Sequence, residues 1–284
     1  MLIAGGEMPS WPAEALSQTR VKANPISTPR VRQGDLFYFS IPVGPHVTSV
    51  QGELHHRIIP FFKAETPGQF GALIGIDMAD STSREDLRVD VSKEDGSVEQ
   101  RHYTVEVVPV HFKTQELTVP KNYVDLDEET AKRAEEEQEK ILQSLSKVTA
   151  QKFWEGRFIM PVEGKIAGTF GLRRIINGEP RSPHSGEDIN APKGTEIHAT
   201  NEGVVALVGD FFFSGKSIVL DHGLGLYTMY FHLDEVGVVE GERIHKGAVL
   251  GKVGATGRAT GPHLHWGMRI DGARVNPLSI LNIE

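Results

Sequence analysis

The residues of this chain whose types and spacing could most directly do chemistry are two histidines two positions apart. His263 and His265 lie between small and hydrophobic residues near the end of the sequence. If this segment is a strand, both imidazoles point to one face, while Leu264 and Trp266 point to the other. Two imidazoles side by side can serve as a metal ligand and a base, as metal-assisted hydrolysis requires. Same-face histidines also occur on hydrated sheet surfaces, so the pair needs further ligands to be informative.

A second segment could supply those ligands. His184 and Asp188 are four positions apart, a spacing that keeps both on one face of an extended chain, and a turn through Gly186 could also bring them together. With His265 they would provide two imidazoles and one carboxylate, which leaves the fourth position of a tetrahedral zinc ion open to water. Glu187 is a rival ligand, although its odd offset from His184 directs it to the opposite face of an extended segment.

A further histidine, His232, follows the aromatic residues Tyr230 and Phe231 at the end of an apolar segment. A single histidine after an aromatic pair is more often a packed residue than a catalytic one, so the pattern alone does not select His232 as catalytic. His55 and His56 are adjacent, so in a strand their rings would face opposite sides and could not share a metal ion. We predict ordinary structural or surface roles for these two and for His46, His102, His111, His198, His222 and His245.

Composition limits the classes of function. The chain has 284 residues, 39% of them hydrophobic, and no cysteine, so a metal site must use His, Asp and Glu. The net charge of -8 argues against a nucleic-acid partner. No segment is long and apolar enough to predict a membrane span. Residues 1–6 are too short and lack a basic flank for a signal peptide, so we expect no export signal within this sequence.

Short strand-like segments separated by turn residues predict a mainly β fold. Residues 1–32 are rich in proline and polar residues, which indicates an extended segment. A β-sandwich-like domain is predicted over residues 33–122, from strand-like segments at 36–43, 50–62, 69–78, 87–91 and 102–110. An all-β domain with two packed sheets or a groove-forming open barrel is predicted over residues 151–284, from segments at 157–160, 203–209, 217–221, 226–231, 248–253 and 264–270.

An acidic helix is predicted between the two domains. Residues 125–140 contain eight acidic and three basic residues, a net charge of -5. Asp125 or Asp127 can cap a helix over residues 127–147, and Glu128 and Glu129 suit the positive end of its dipole. The apolar stripe is only partial, so we interpret residues 123–150 as a helical connector with a solvated face.

Several ordered motifs together resemble those of the lysostaphin-type (LytM-like) zinc metallopeptidases, which hydrolyse peptidoglycan. The resemblance covers residues 157–277. Its motifs are His184-x-x-x-Asp188, Tyr230-x-His232-Leu233 and Thr260-Gly261-Pro262-His263-Leu264-His265, accompanied by Ala191-Pro192-Lys193-Gly194-Thr195, Gly203-Val204-Val205, Asp221-His222-Gly223 and Gly251-Lys252-Val253-Gly254-Ala255-Thr256-Gly257. Trp266 stands where many relatives have Phe, a difference that we expect to be structural.

The resemblance implies a metal site, catalytic residues and a substrate. It implies one zinc ion per chain, held by His184, Asp188 and His265, with His232 and His263 as catalytic histidines that do not bind the metal. The implied function is a murein endopeptidase that cuts peptide cross-links of peptidoglycan in the periplasm or cell envelope of a bacterium. A β-sandwich before the peptidase domain is similar to Gram-negative members, which favours the D-alanyl–diaminopimelate link over pentaglycine.

Other functions stay open. A carboxypeptidase that trims stem peptides would use the same site, and a non-enzymatic activator of other hydrolases could have the same fold. The complete set of five residues argues against the activator. A storage or structural zinc protein would need a closed four-ligand site and has no use for His232 and His263. We also hypothesise that the first domain shields the groove.

Overall fold

Alternating hydrophobic residues build a β-sandwich in the first part of the chain. The computed structural model describes residues 28–283. The sandwich strands are β1 (Arg30–Arg32), β2 (Leu36–Pro42), β3 (Val47–Leu54), β4 (Arg57–Pro60), β5 (Phe62–Lys63), β6 (Gln69–Gly75), β7 (Arg84–Lys93) and β8 (Val98–Val108). They form a five-stranded sheet, β1-β8-β7-β3-β4, and a three-stranded sheet, β2-β6-β5. Leu87, Val89 and Val91 alternate inward from β7 and share one core with Phe39 and Ile41 of the facing sheet, which confirms the predicted sandwich.

One predicted strand of the sandwich is wrong. The segment at 50–62 contains a tight hairpin, in which Leu54 of β3 pairs with Arg57 of β4. His55 and His56 form the two-residue turn with φ values of 50° and 61°. Positive φ at both central positions of a two-residue turn matches the twist of a hairpin. The two histidines are therefore turn residues, and the strand alternation that would place their rings on opposite faces does not apply. The His55 Nδ1 atom lies 3.0 Å from Asp80 Oδ2.

Residues 1–27 of the predicted extended segment lie outside the described residues. The last three residues of that segment form β1. After the sandwich come β9 (Thr114–Leu117), a 3-10 turn at Lys121–Tyr123 and the helix α1 (Glu128–Ser144). The Asp127 carboxylate accepts a hydrogen bond of 2.7 Å from the Thr130 N–H, which confirms Asp127 as the N-cap. The helix ends at Ser144, three residues earlier than predicted.

The remaining chain forms one large curled sheet. Its elements are β10 (Lys165–Ile166), β11 (Arg173–Ile176), β12 (Glu179–Arg181), β13 (Gly186–Asn190), β14 (Glu196–His198), β15 (Gly203–Phe211), β16 (Gly215–Gly223), β17 (Leu226–Val236), β18 (Arg243–Ile244), β19 (Val249–Val253), β20 (Leu264–Ile270), β21 (Ala273–Arg274) and a 3-10 helix at Pro277–Asn282. The ten-stranded sheet follows the order β10-β13-β20-β17-β16-β15-β18, with β19 paired to β14 and β17 and with β21 paired to β20. Within residues 28–283, no helix is long and apolar enough to cross a membrane.

The strands predicted from residue 203 onward correspond to β15, β16, β17, β19 and β20, whereas the strand predicted at 157–160 is absent from the described chain. Residues there run extended, and the Ile159 N–H donates to the Thr200 carbonyl at 3.0 Å. Pro161 follows and has no N–H to donate, so a ladder cannot continue.

Strand β20 separates a core face from a site face. Leu264, Trp266 and Met268 are fully buried in the main core, so His265 points to the opposite face of the sheet. On that second face Tyr227 and Met229 of β17 pack in a smaller cluster. Helix α1 covers this face, and the buried residues of the helix are Ala134 and Ile141.

The sandwich is packed against the curled sheet. Leu36 and Leu73 of the sandwich belong to the main core of the C-terminal part. The Asp77 carboxylate pairs with the Arg274 guanidinium, with Oδ1 and Nη2 2.6 Å apart. Strand β9 pairs in parallel with β11, in a separate three-stranded sheet β12-β11-β9. The boundaries 33–122, 123–150 and 151–284 remain predictions.

Candidate metal centre

Adjacent strands bring a carboxylate and an imidazole together. Strands β13 and β20 are antiparallel, and Asp188 lies directly opposite His265 in their register. The Asp188 Oδ1 atom is 3.0 Å from His265 Nδ1. His184, just before β13, brings its Nε2 atom to 2.7 Å from His265 Nδ1 and to 3.2 Å from Asp188 Oδ1. The three residues that were predicted as ligands therefore converge on one point.

The geometry of these three atoms fits one metal ion. Ligand atoms bound to zinc at about 2.0–2.2 Å can lie no more than about 4.4 Å apart. The three observed separations, 2.7, 3.0 and 3.2 Å, are all within that limit. Two nitrogen atoms and one oxygen atom are a donor set that suits zinc, with room for a fourth ligand.

A backbone carbonyl sets the protonation of His184. The His184 Nδ1 atom lies 3.1 Å from the Thr169 carbonyl oxygen. Because a carbonyl can only accept, Nδ1 carries the hydrogen, and the Nε2 lone pair faces His265 and Asp188. Such a partner fixes both the tautomer and the orientation of a metal-binding imidazole.

Glu187, the rival ligand, points away from this centre, in agreement with its odd offset. Its carboxylate accepts hydrogen bonds from the backbone N–H groups of Gly168 at 2.5 Å, Thr169 at 2.9 Å and Phe170 at 3.3 Å. The residue is only 2% exposed. Glu187 therefore holds the loop whose Thr169 carbonyl orients His184.

Gly186 leaves room for the His265 ring. A Cβ atom at this position would lie 2.5 Å from His265 Nε2, closer than side chains approach. Only glycine lacks that atom, so the sequence Ser185-Gly186-Glu187 allows the two strands to bring His265 to Asp188. Phe231 supports the ring from β17, stacked nearly parallel to it with 5.4 Å between ring centres.

The two remaining predicted residues flank the centre. The rings of His232 and His263 lie 4.9 Å apart, and His232 is 6.0 Å from His265. The Nδ1 atom of His232 lies 2.8 Å from the Thr256 carbonyl oxygen, and that of His263 lies 2.8 Å from the Gly261 carbonyl oxygen. Each Nδ1 therefore donates its hydrogen, and each Nε2 retains a free lone pair.

Burial controls the charge of the cluster. Burial lowers the pKa of His232 to about 3, and the neighbouring His265 and His263 add to this effect. Burial likewise lowers the pKa of His265 to about 4, against a hydrogen bond to Asp188 that raises it. For Asp188, burial raises the pKa, but hydrogen bonds with His184 and His265 outweigh it and hold the pKa well below its usual range. At neutral pH His265 therefore offers a neutral imidazole and Asp188 an ionised carboxylate, the forms that bind metal.

A groove of about 340 Å³ lies over the centre. Its walls include Phe211 and Phe231 of the sheet and residues Glu137, Gln138 and Ile141 of α1. Two hydrogen bonds connect α1 and the 3-10 turn before it to the curled sheet. The Phe212 N–H donates to the Glu137 carboxylate at 2.6 Å, and the Tyr123 hydroxyl donates to the Gly257 carbonyl at 3.1 Å.

The sequence reasoning missed residues that act through their backbone. The carbonyls of Thr169 and Thr256 orient His184 and His232, but any residue type offers a carbonyl, so composition gives no signal. Arg174 and Arg258, which also line the groove, were not selected either. A signal for Arg174 could have been its place in a strand-like segment on the same face as Leu172 and Ile176.

Residues 182–277, which include this His-Asp-His site, match the family model of peptidase family M23. The match covers the part of the curled sheet that carries the five predicted residues. The DD-carboxypeptidase/endopeptidase Mpg of Neisseria meningitidis is 42% identical over 116 residues, which cover 41% of this chain and 27% of Mpg. The peptidoglycan DD-endopeptidase ShyA of Vibrio cholerae is 36% identical over 121 residues, 42% of this chain and 28% of ShyA.

The chain thus spans less than a third of these curated relatives. A crystal structure assigned to peptidase M23 from Pseudomonas aeruginosa is similar over a larger part, with 28% identity and a TM-score of 0.66. The alignment covers 88% of this chain and 94% of that chain, so the similarity includes the sandwich as well as the curled sheet.

Proposed function

We propose that this protein is a zinc-dependent murein endopeptidase that hydrolyses peptide cross-links of peptidoglycan, with one zinc ion per chain. The observation that carries the proposal is the convergence of His184 Nε2, Asp188 Oδ1 and His265 Nδ1 within 3.2 Å of one another. These three residues would hold the ion. When bound, zinc supplies a water of lowered pKa, about 7, and polarises the scissile carbonyl.

His263 is assigned the role of general base. Its Nδ1–H donates to the Gly261 carbonyl, so its Nε2 can accept a proton from water. That Nε2 atom lies 3.8 Å from the Asp188 oxygen of the metal centre, within reach of a water between them. The same nitrogen would then return the proton to the leaving amine.

His232 is assigned the role of holding the attacking water. The alternative role for His232 is donation of a hydrogen bond to the developing oxyanion. Its Nδ1–H is used by the Thr256 carbonyl, and burial lowers its pKa to about 3, so Nε2 carries no hydrogen at neutral pH. A neutral Nε2 accepts a hydrogen bond and cannot donate one, which favours the water-holding role.

The substrate we propose is the D-alanyl–diaminopimelate cross-link, and the location is the periplasm or cell envelope. Both curated relatives described above have names that specify DD-endopeptidase activity, and one specifies peptidoglycan. A groove with aromatic walls beside the metal centre suits an extended peptide.

The test is to load the purified protein with zinc and to follow the release of split dimers from cross-linked muropeptides by chromatography, with and without a chelator. His263→Ala should retain zinc and lower kcat by about 10²–10⁴-fold. His232→Ala should also retain zinc and slow turnover, whereas His184→Ala and His265→Ala should lose the metal. Wild-type rates in the His263→Ala protein would refute the assigned base.

A carboxypeptidase is the second candidate, because Mpg is named for both activities. Muropeptide chromatography separates the two: an endopeptidase splits dimers, and a carboxypeptidase shortens monomers. A non-enzymatic activator predicts no cleavage and no tightly bound zinc in the same experiment.

A further inference from the structure

Two arginine side chains line the groove without a protein anion to pair with. Arg174 lies on β11, and Arg258 lies in the loop between β19 and β20. Across residues 28–283, no carboxylate is within ion-pair distance of either guanidinium group, and neither group has a hydrogen-bond acceptor. The Nε atom of Arg174 is buried and has no partner. Half-buried arginines with no acceptor in the chain lose hydration without compensation, so an anion from outside the chain is the expected partner.

Several other arginines of the described chain pair with carboxylates. Arg57 contacts Asp80, Arg274 contacts Asp77, and Arg181, which faces Arg174 across the β11–β12 hairpin, contacts Glu179. Of the described arginines that line the groove, Arg269 donates to the Gly272 carbonyl at 3.3 Å, whereas Arg174 and Arg258 have no acceptor within the described chain.

The two groups occupy one positively charged region. Burial lowers the pKa of Arg258, and Arg174 and Arg181 lower it further as neighbouring positive charges. Burial also lowers the pKa of Arg174, and the charge of Asp188 partly offsets this. Arginine stays protonated under such shifts.

Both guanidinium groups are held by features outside the metal centre. Arg174 is on the central strand of the β12-β11-β9 sheet, on the same face as Ile176, and both line the groove with His184 and Asp188. The Arg258 guanidinium lies over the ring of Phe213, with its Cζ atom 4.4 Å from the ring centre. Stacking fixes the plane of the group and leaves its N–H edge free to bind an anion.

We propose that Arg174 and Arg258 form a carboxylate-binding subsite for the substrate, an inference that rests on the proposed function. In the D-alanyl–diaminopimelate link, the carbon that bears the scissile nitrogen also carries a free carboxylate. This group must lie close to the metal centre when the bond is cut, and the planar guanidinium matches a carboxylate in charge and shape. A glycine bridge has no such group, so the subsite selects the diaminopimelate link.

The test uses two synthetic cross-linked peptides that differ only in this group, one with the free carboxylate and one with its carboxamide. The zinc-loaded wild-type protein should cleave the carboxylate peptide with a kcat/KM about 10- to 100-fold higher. Arg174→Gln and Arg258→Gln should lose that preference by slowing only the carboxylate peptide, and Arg174→Lys should regain part of it. Arg173→Gln is the matched control, because Arg173 is the exposed neighbour on β11.

Zinc content is measured for each variant by metal analysis. If the glutamine variants slow both peptides equally, or if they lose zinc, the arginines have a structural or ligand-positioning role and the subsite is refuted. Equal wild-type rates on both peptides refute it as well, while the proposed function stands. If the wild-type protein cleaves neither peptide, the proposed function fails. Binding of the two peptides, measured by calorimetry, then tests whether the carboxylate-binding subsite exists. Tighter binding of the carboxylate peptide by wild type but not by Arg174→Gln would then support it.

Discussion

Replacement of Glu187 tests whether the metal centre depends on the loop behind it. The Glu187 carboxylate accepts three backbone N–H groups, from Gly168, Thr169 and Phe170, in a position only 2% exposed. The same loop presents the Thr169 carbonyl to His184. We therefore expect Glu187→Ala to loosen the loop and weaken metal binding, although Glu187 does not touch the metal centre.

The magnitude follows from the hydrogen bonds that are lost. Hydrogen bonds to a charged acceptor contribute about 1.5–3 kcal/mol each, so three set an upper bound of about 9 kcal/mol. Water can enter the space that alanine leaves, and the loop can relax, so we expect a net loss of about 3–5 kcal/mol. Loss of an orienting partner typically costs about 10–100-fold in metal affinity. Glu187→Gln keeps one acceptor oxygen and should lie between wild type and alanine.

The assay is competition for zinc with a chromophoric chelator, together with thermal unfolding of the metal-free protein. Unfolding without metal reports the loop, and the competition reports its effect on the site. Glu196→Ala is the matched control, because Glu196 is exposed on β14. Wild-type zinc affinity in Glu187→Ala would show that the loop does not orient His184.

Three further outcomes are expected. Gly186→Ala should displace the His265 ring, because the new Cβ atom would lie 2.5 Å from His265 Nε2, and zinc affinity should fall by at least about 10-fold. Gly44→Ala is the control, because a Cβ atom there would lie in open space. Equal zinc affinities of the two variants in a titration would contradict the steric argument. Burial lowers the pKa of His222 to about 4, so the unfolded chain gains a proton near pH 6.5 before the folded chain does. The free energy of unfolding should therefore be lower at pH 5 than above pH 6.5 by about 2 kcal/mol. Chemical unfolding at both pH values measures this difference, which should be absent in His222→Gln. The kcat of the His232→Gln protein should fall while its zinc content, from metal analysis, equals that of wild type.

The sequence predicted the parts of the fold that repeat a simple period. Strand β20 was predicted at its observed bounds because Leu264, Trp266 and Met268 alternate with residues of the other face. Helix α1 was predicted through its Asp127 cap. The turn at His55 was missed because neither of its residues is one of the usual signals for positive φ.

The candidate site was predictable where side chains carry the chemistry. The five residues were selected by type, spacing and resemblance, and the structure brings them together within one groove. What could not be predicted depends on contacts between distant segments. The Thr169 carbonyl is 15 residues from His184, and Arg258 approaches Arg174 only through the folded loops. No local period encodes such contacts.

The parallel pairing of β9 with β11 has a consequence for how this chain can be divided. Strand β9 precedes the helix, yet it completes the small sheet that carries Arg174, and the Asn177 side chain adds bonds to both backbone groups of Val119. A fragment cut at residue 150 would leave β11 with a bare edge and a loosened arginine. The region before the helix thus supports the strand that carries the subsite proposed for Arg174. A shortened protein that is meant to keep this strand in place should therefore retain residues 113–119.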